Sequence, residues 1–161
     1  MDTPDTPRRV EHQLTDKGYV PVYTTAVVEQ PWADYTATDH EVWATLFKRQ
    51  REILPGRASK EFLAQQEVMG MSADRIPKFD ELNPVLRKAT GWELIGVEGL
   101  LPELTFFEHL ANRRFPAGNF IRQPHELDYL EEPDVFHDVF GHVPMLMNPA
   151  IADFIQAYGQ G

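Results

Sequence analysis

The 161-residue sequence contains no cysteine. That excludes disulfides, thiolate zinc sites and iron–sulfur clusters, so any metal held by this chain is held by nitrogen and oxygen. An excess of positive charge is also missing. Lys and Arg number 15 against 25 Asp and Glu, a formal net charge of −10, the wrong sign for a nucleic-acid partner. No apolar run approaches a membrane span. Residues 1–10 hold Asp2, Asp5, Arg8 and Arg9 and no hydrophobic segment of a secretory leader. The expectation is a cytoplasmic protein with neither a nucleic-acid nor a membrane partner. No repeat, low-complexity tract or long linker divides the chain. With 42% hydrophobic and 25% charged residues, it has the composition of an ordinary single domain able to bury a core.

Residues 1–35 read as an extended N-terminal arm, punctuated by Pro4, Pro7, Pro21 and Pro31. Only 19–28 (YVPVYTTAVV) has the β-branched and aromatic content of a strand. From residue 36 the pattern turns helical. Thr38 with Glu41 suggests a capping box, and Val42, Trp43, Leu46, Phe47, Ile53 and Leu54 recur at helical spacing before Pro55-Gly56. Ser59 is a candidate cap for a second helix with Phe62, Leu63, Gln66 and Met69, ending before Gly70. A third segment runs over 79–89 and closes at Gly91. Its Asn83-Pro84 is compatible only with a first turn. Residues 92–97 (WELIGV) suggest a strand. Pro102 then opens a helix whose buried stripe is Leu104, Phe107 and Leu110, with Phe106 off that stripe and either free to line a pocket or part of the core. Residues 119–122 (NFIR) suggest another strand, 123–133 a loop with Glu126, Asp128 and Glu131. Residues 149–158 suggest a final helix carrying Ile151, Phe154 and Ile155 before an abrupt stop at Gly159-Gln160-Gly161. The fold class is mainly α with a few short strands and long loops.

The chemistry concentrates in 137–144 (HDVFGHVP). Two histidines with an adjacent carboxylate suit two corners of one coordination sphere. The pair is five residues apart, and an ideal helix rotates the second by about 140° from the first. A short helix capped by Asp134 and ending near Gly141 resolves this, because Gly141 accepts unusual dihedrals and Pro144 cannot continue the ladder. His137 and His142 then present from consecutive turns. The residues alone leave a second reading open, one core histidine and one that favours the helix dipole.

Several motifs in fixed order go further: 39–50 (DHEVWATLFKRQ), 97–103 (VEGLLPE), the Phe106–Phe107 pair, 119–130 (NFIRQPHELDYL) and 131–144 (EEPDVFHDVFGHVP). Together they resemble the aromatic amino acid hydroxylases, and within them the single-domain bacterial enzymes acting on phenylalanine. The resemblance implies a non-haem Fe(II) monooxygenase that uses tetrahydropterin and O₂ to convert L-phenylalanine into L-tyrosine. By the same likeness His137 and His142 match the iron ligands. Gly99, Leu100, Leu101 and Phe106 match the pterin site, with Asp138 facing the pterin side. Arg122 matches the arginine that pairs with the substrate carboxylate, Asp134 the acid that orients it, and Pro133 a wall of the substrate site; without the family, Arg122–Asp134 is equally an ordinary salt bridge.

One departure stands out. The family's third iron ligand is a glutamate well beyond the second histidine. After Pro144 this sequence offers only Asp153 as an acid, in an ordinary helical context. Residues 36–161 are therefore expected to be a partial catalytic domain, with iron held weakly by two histidines. The full-length form is expected to be a monomer. The alternatives are a non-catalytic metal-binding or interaction domain and, further off, a hydrolytic zinc site using Asp153.

Overall fold

A computed structural model of the chain describes residues 12–15, 18–21, 23–54, 56, 60–128 and 133–161. The opening of the arm, the expected cap Ser59 and the loop acid Glu131 lie outside them. The described chain is mainly α, with two small two-stranded sheets. Strands β1 (His12–Thr15) and β2 (Gly18–Pro21) form an antiparallel hairpin.

Helix α1 (Ala37–Ile53) forms where the periodicity places it, burying Val42, Trp43, Leu46 and Phe47. Its capping box lies two residues upstream of the expected one. Thr36 Oγ1 accepts from Asp39 N–H at 3.1 Å while Asp39 Oδ2 accepts from Thr36 N–H at 2.9 Å. Thr36 and Asp39 repeat the spacing of Thr38 and Glu41, and the pair nearer the anchored Tyr35 prevails. The far end frays outward, leaving Ile53 44% exposed.

Helix α2 (Lys60–Val68) is joined to α1 by Arg51 Nη1, which donates to the buried Gln66 Oε1 at 3.1 Å. Helix α3 (Phe79–Thr90) keeps going through Pro84, its sixth residue, so the expected restriction of this proline to a first turn does not hold. The neighbouring Asn83 is buried and turns its side chain to the next strand. It accepts from Leu94 N–H at 2.7 Å and donates to Leu94 O at 3.2 Å, fastening α3 to the next strand. Gly91 ends α3 at φ 77°, a conformation that favours glycine.

Strand β3 (Glu93–Val97), helix α4 (Glu103–Ala111) and strand β4 (Arg114–Gly118) make one parallel crossover unit. The second strand is 114–118, not the expected 119–122. Pro116 is tolerated because this two-stranded sheet has only edges. Residues 119–122 are extended, but their polar groups go to separate partners. Asn119 N–H donates to Val97 O, Phe120 O accepts from Val135 N–H, and Arg122 N–H donates to the Asp134 carboxylate. Pro102 is the residue before α4 and not its first turn. Leu104, assigned to the buried stripe, is 83% exposed, while Leu110 is buried as expected.

The last helix, α5 (Pro149–Gln160), is capped by Asn148 Oδ1, which accepts from Ala150 and Ile151 N–H groups. It packs on α4 and runs through Gly159, past the stop expected there. A Cβ at Gly159 would lie 2.6 Å from Ala111 N and 2.7 Å from Phe107 O. Phe154, one of the apolar residues of this helix, is 70% exposed.

The core sits among α1, α2, α3, the β3–β4 pair and residues 135–147. Phe136 and Phe140 stack at 4.7 Å, Trp43 meets Phe136 edge-on at 5.2 Å and Phe47 meets Phe140 at 5.3 Å. These aromatic contacts fix the rear of the segment that carries the two histidines.

Candidate active site

Residues 136–140 form a single π turn, followed by a 3₁₀ turn over Val143–Met147. A π turn closes i to i+5 bonds and is wider than an α turn, so residues five apart become neighbours on one side. This is how the pair converges. His137 and His142 ring centroids lie 4.9 Å apart. Gly141 does not supply an unusual dihedral, since its φ is −81° and ψ −36°; the wider turn does what the glycine was expected to do. The expected cap does form, with Asp134 Oδ1 accepting from His137 N–H at 2.9 Å. Phe136, Val139, Phe140 and Val143 face inward and are buried, leaving the histidines on the open side.

Candidate ligand atoms of His137, Asp138 and His142 all lie within 4.8 Å of one another. Two imidazoles and a carboxylate are a donor set suited to a divalent transition metal. Asp138 is already engaged. Its Oδ2 accepts from Gly118 N–H at 2.9 Å and its Oδ1 lies 3.2 Å from His137 Nδ1. With Nδ1 held this way, Nε2 is the ring atom of His137 left for a metal. The hydrogen bond from His137 to Asp138 pushes the His137 pKa above 6.5, against the opposing effect of burial. Burial pushes His142 below 6.5, and repulsion from His137 adds to it.

The cluster opens into a cavity of about 780 Å³. Of the residues singled out from the sequence, His137, Asp138, His142, Gly99, Leu100, Leu101, Phe106 and Pro133 all line it. Phe106 is thus the pocket residue of the α4 pair. Arg122 and Asp134 do not line the cavity. They pair beside it through Arg122 Nε to Asp134 Oδ2 at 2.9 Å and Nη2 to Oδ1 at 3.1 Å. Asp153 is not part of the cluster either, because it pairs with Arg113 on the α4–α5 side.

The structure adds residues that the sequence did not single out. Gly118 supplies the amide that holds Asp138, Phe115 lies 5.7 Å from the His142 ring, and Tyr23 reaches the cavity from the arm. For Gly118 and Phe115 the missed signal was β4 itself, since strand β4 is what sets them beside the histidines.

A π-turn histidine pair opening into an apolar-walled cavity beside a parallel crossover unit defines a class. The chain belongs to the biopterin-dependent aromatic amino acid hydroxylases, whose family profile matches residues 19–160. It is 58% identical over 134 residues to a phenylalanine-4-hydroxylase of Ralstonia nicotianae, covering 83% of this chain and 43% of that relative. Two solved structures of phenylalanine hydroxylase from Chromobacterium violaceum superpose closely. One, with iron and phenylalanine bound, has a TM-score of 0.78 at 53% identity, over 84% of this chain and 48% of the other. The second, with iron(III) and 7,8-dihydrobiopterin, has a TM-score of 0.82 at 53% identity, over 86% and 52%. The chain spans about half the length of the relatives it matches.

Proposed function

We propose that this chain forms the iron- and pterin-binding half of a phenylalanine 4-hydroxylase site, converting L-phenylalanine into L-tyrosine with tetrahydropterin and O₂. The observation that carries this is the 4.9 Å approach of His137 and His142 on the rim of a cavity that also holds Phe106 and the 99–101 loop. The donor chemistry fits Fe(II), and the cavity is wide enough for a flat bicyclic ring beside the metal. Support comes from the related proteins, named as phenylalanine hydroxylases, one with iron and phenylalanine bound and another with iron(III) and dihydrobiopterin.

In this reading His137 and His142 hold iron through ring nitrogen, and Asp138 fixes the His137 ring and faces the pterin. Phe106 stacks on the pterin without using up hydrogen bonds, while Gly99, Leu100 and Leu101 present backbone groups to its polar edge. Arg122 is held in one rotamer by Asp134 through Nε and Nη2, so a substrate carboxylate would take its outer Nη1–Nη2 edge, and Pro133 would form a wall. Iron and pterin, when bound, supply the oxygen activation; the chain orients what reacts. The division into an arm over 1–35 and a partial catalytic domain over 36–161, a cytoplasmic location and a monomeric full-length form belong to the same reading.

Asp138's bond to Gly118 leaves two free ligands in the described cluster, the observation that favours a non-catalytic metal-binding domain as the second reading. A fusion to the C-terminal half of the Ralstonia relative separates the two. Anaerobic Fe(II) titration, then tetrahydropterin, phenylalanine and air, gives tyrosine from the fusion and none from its H137A or H142A variant. A fusion that binds iron but forms no tyrosine favours the second reading.

A further inference from the structure

Residues 24–28 lie along the end of β3 and the loop that follows it in one register. Thr24 N–H donates to Leu100 O at 3.0 Å and Val28 N–H to Gly96 O at 2.8 Å, and Val28 and Gly96 form an antiparallel bridge. Four steps forward on the arm are four steps back on the loop, as antiparallel pairing requires. The middle rung is turned aside, because Ala26 N–H goes to Thr24 Oγ1 at 3.1 Å. Continuing the register by one residue sets Tyr23 opposite Leu101, with Thr25 opposite Gly99 and Val27 opposite Val97. Tyr23 lines the cavity together with Gly99, Leu100 and Leu101.

Tyr23 faces that space while 56% exposed. A tyrosine packed into a finished core has its ring covered; this one has an open side next to Leu101. Its hydroxyl has room to remain hydrated while the ring offers a flat surface.

We propose that Tyr23 is a second aromatic contact for the pterin, delivered to the 99–101 end of the cavity by the arm's antiparallel pairing on residues 96–100. This rests on the pterin reading above. A planar bicyclic ring then has Phe106 from α4 and Tyr23 from the arm as its two aromatic neighbours. The arm becomes part of the binding site and not only a covering of the surface.

The test is equilibrium titration of the metal-free 161-residue chain with 7,8-dihydrobiopterin, comparing Y23A, Y23F and F106A with the unaltered protein. Y23A raises the Kd about tenfold, Y23F stays within about twofold, and F106A loses at least as much as Y23A. Thermal midpoint and Co(II) affinity of Y23A match those of the unaltered chain, because Tyr23 is 56% exposed. Equal affinity in Y23A, or an equal loss in Y23F, overturns the proposal. If the unaltered chain takes up no dihydrobiopterin, the cofactor reading fails and this one with it. If F106A alone weakens binding, only the role of Tyr23 fails.

Discussion

Asp134 is fully buried and grips Arg122 with both oxygens, Nε to Oδ2 at 2.9 Å and Nη2 to Oδ1 at 3.1 Å, while Arg122 keeps only 13% side-chain exposure. The same carboxylate accepts the N–H groups of Arg122 and His137. One aspartate therefore ties the 119–122 segment to the first turn of the segment that carries the two histidines. Removing it strands a nearly buried guanidinium and two amides. D134A is expected to lose about 3–5 kcal/mol of stability and to weaken Co(II) binding, since His137 loses its cap. Urea unfolding together with a metal titration checks both. A loss under about 1 kcal/mol would mean that the pair behaves as a surface ion pair.

The contact between α4 and α5 has no room at Gly159. An added Cβ would meet backbone atoms of Ala111 and Phe107 at 2.6 and 2.7 Å, and backbone cannot step aside as a side chain can. G159A is expected to push the helices apart and cost about 1–3 kcal/mol. Gly141 gives the contrast, with nothing within 4 Å of the place a Cβ would take and an ordinary helical φ of −81°. G141A should leave thermal stability unchanged or slightly higher. Paired melting curves of the two variants decide it.

His40 Nδ1 accepts from Ile76 N–H at 3.1 Å, which requires that nitrogen to be unprotonated. Burial lowers its pKa below 6.5, outweighing the attraction of Asp39, and Arg75 pushes in the same direction as burial. The folded state thus binds this proton less readily than the unfolded chain does. Its contribution to stability is complete above pH 6.5 and is lost as pH falls through the lowered value. H40N keeps an acceptor that does not titrate. Denaturant unfolding between about pH 7.5 and 5.5 should show a shallower decline in H40N than in the unaltered chain. His109 and His142 are also lowered, so the slope shrinks without vanishing.

Metal uptake should be acid-sensitive from a higher pH than an isolated histidine would give. The Nδ1 contact with Asp138 favours the doubly protonated His137 ring, and a metal at Nε2 must displace the proton there. Anaerobic Fe(II) or Co(II) titrations of this chain are expected to show weak, labile binding that already declines as pH falls from above 6.5, and none in H137A or H142A. Tight binding at one equivalent, insensitive to pH, would contradict both the two-ligand site and the role given to Asp138.

Much of the helical scaffold was legible because its signals are local and repeated. Val42, Trp43, Leu46 and Phe47 mark α1 by spacing alone, and Gly91 closes α3 where a glycine was needed. The motifs around His137 and His142 singled out the two histidines that the structure brings within 4.9 Å of each other. What stayed hidden depends on which of two equivalent local choices the tertiary structure selects. Thr36 and Thr38 offer the same cap, and only the surroundings choose. Pro116 disguised β4, whose partner strand lies about 20 residues earlier. Leu104 and Leu110 both fit a helical stripe, yet only Leu110 meets the core. Tyr23 lay in a stretch that read as a strand, but nothing local placed it beside the 99–101 loop, since that comes from a pairing across about 70 residues of sequence.

The turn at 136–140 also bears on how this site tolerates change in length. A π turn holds one more residue than the α turn it replaces, so the His137–His142 pair differs from an i, i+4 pair by a single codon. Deleting Val139 while keeping both histidines would return the segment to α geometry and leave them as an i, i+4 pair, still neighbours on one face. What the deletion removes is Val139 itself, which is fully buried behind the pair. The length of the segment encoding 136–143 is therefore set by the core behind the histidines and not by their convergence.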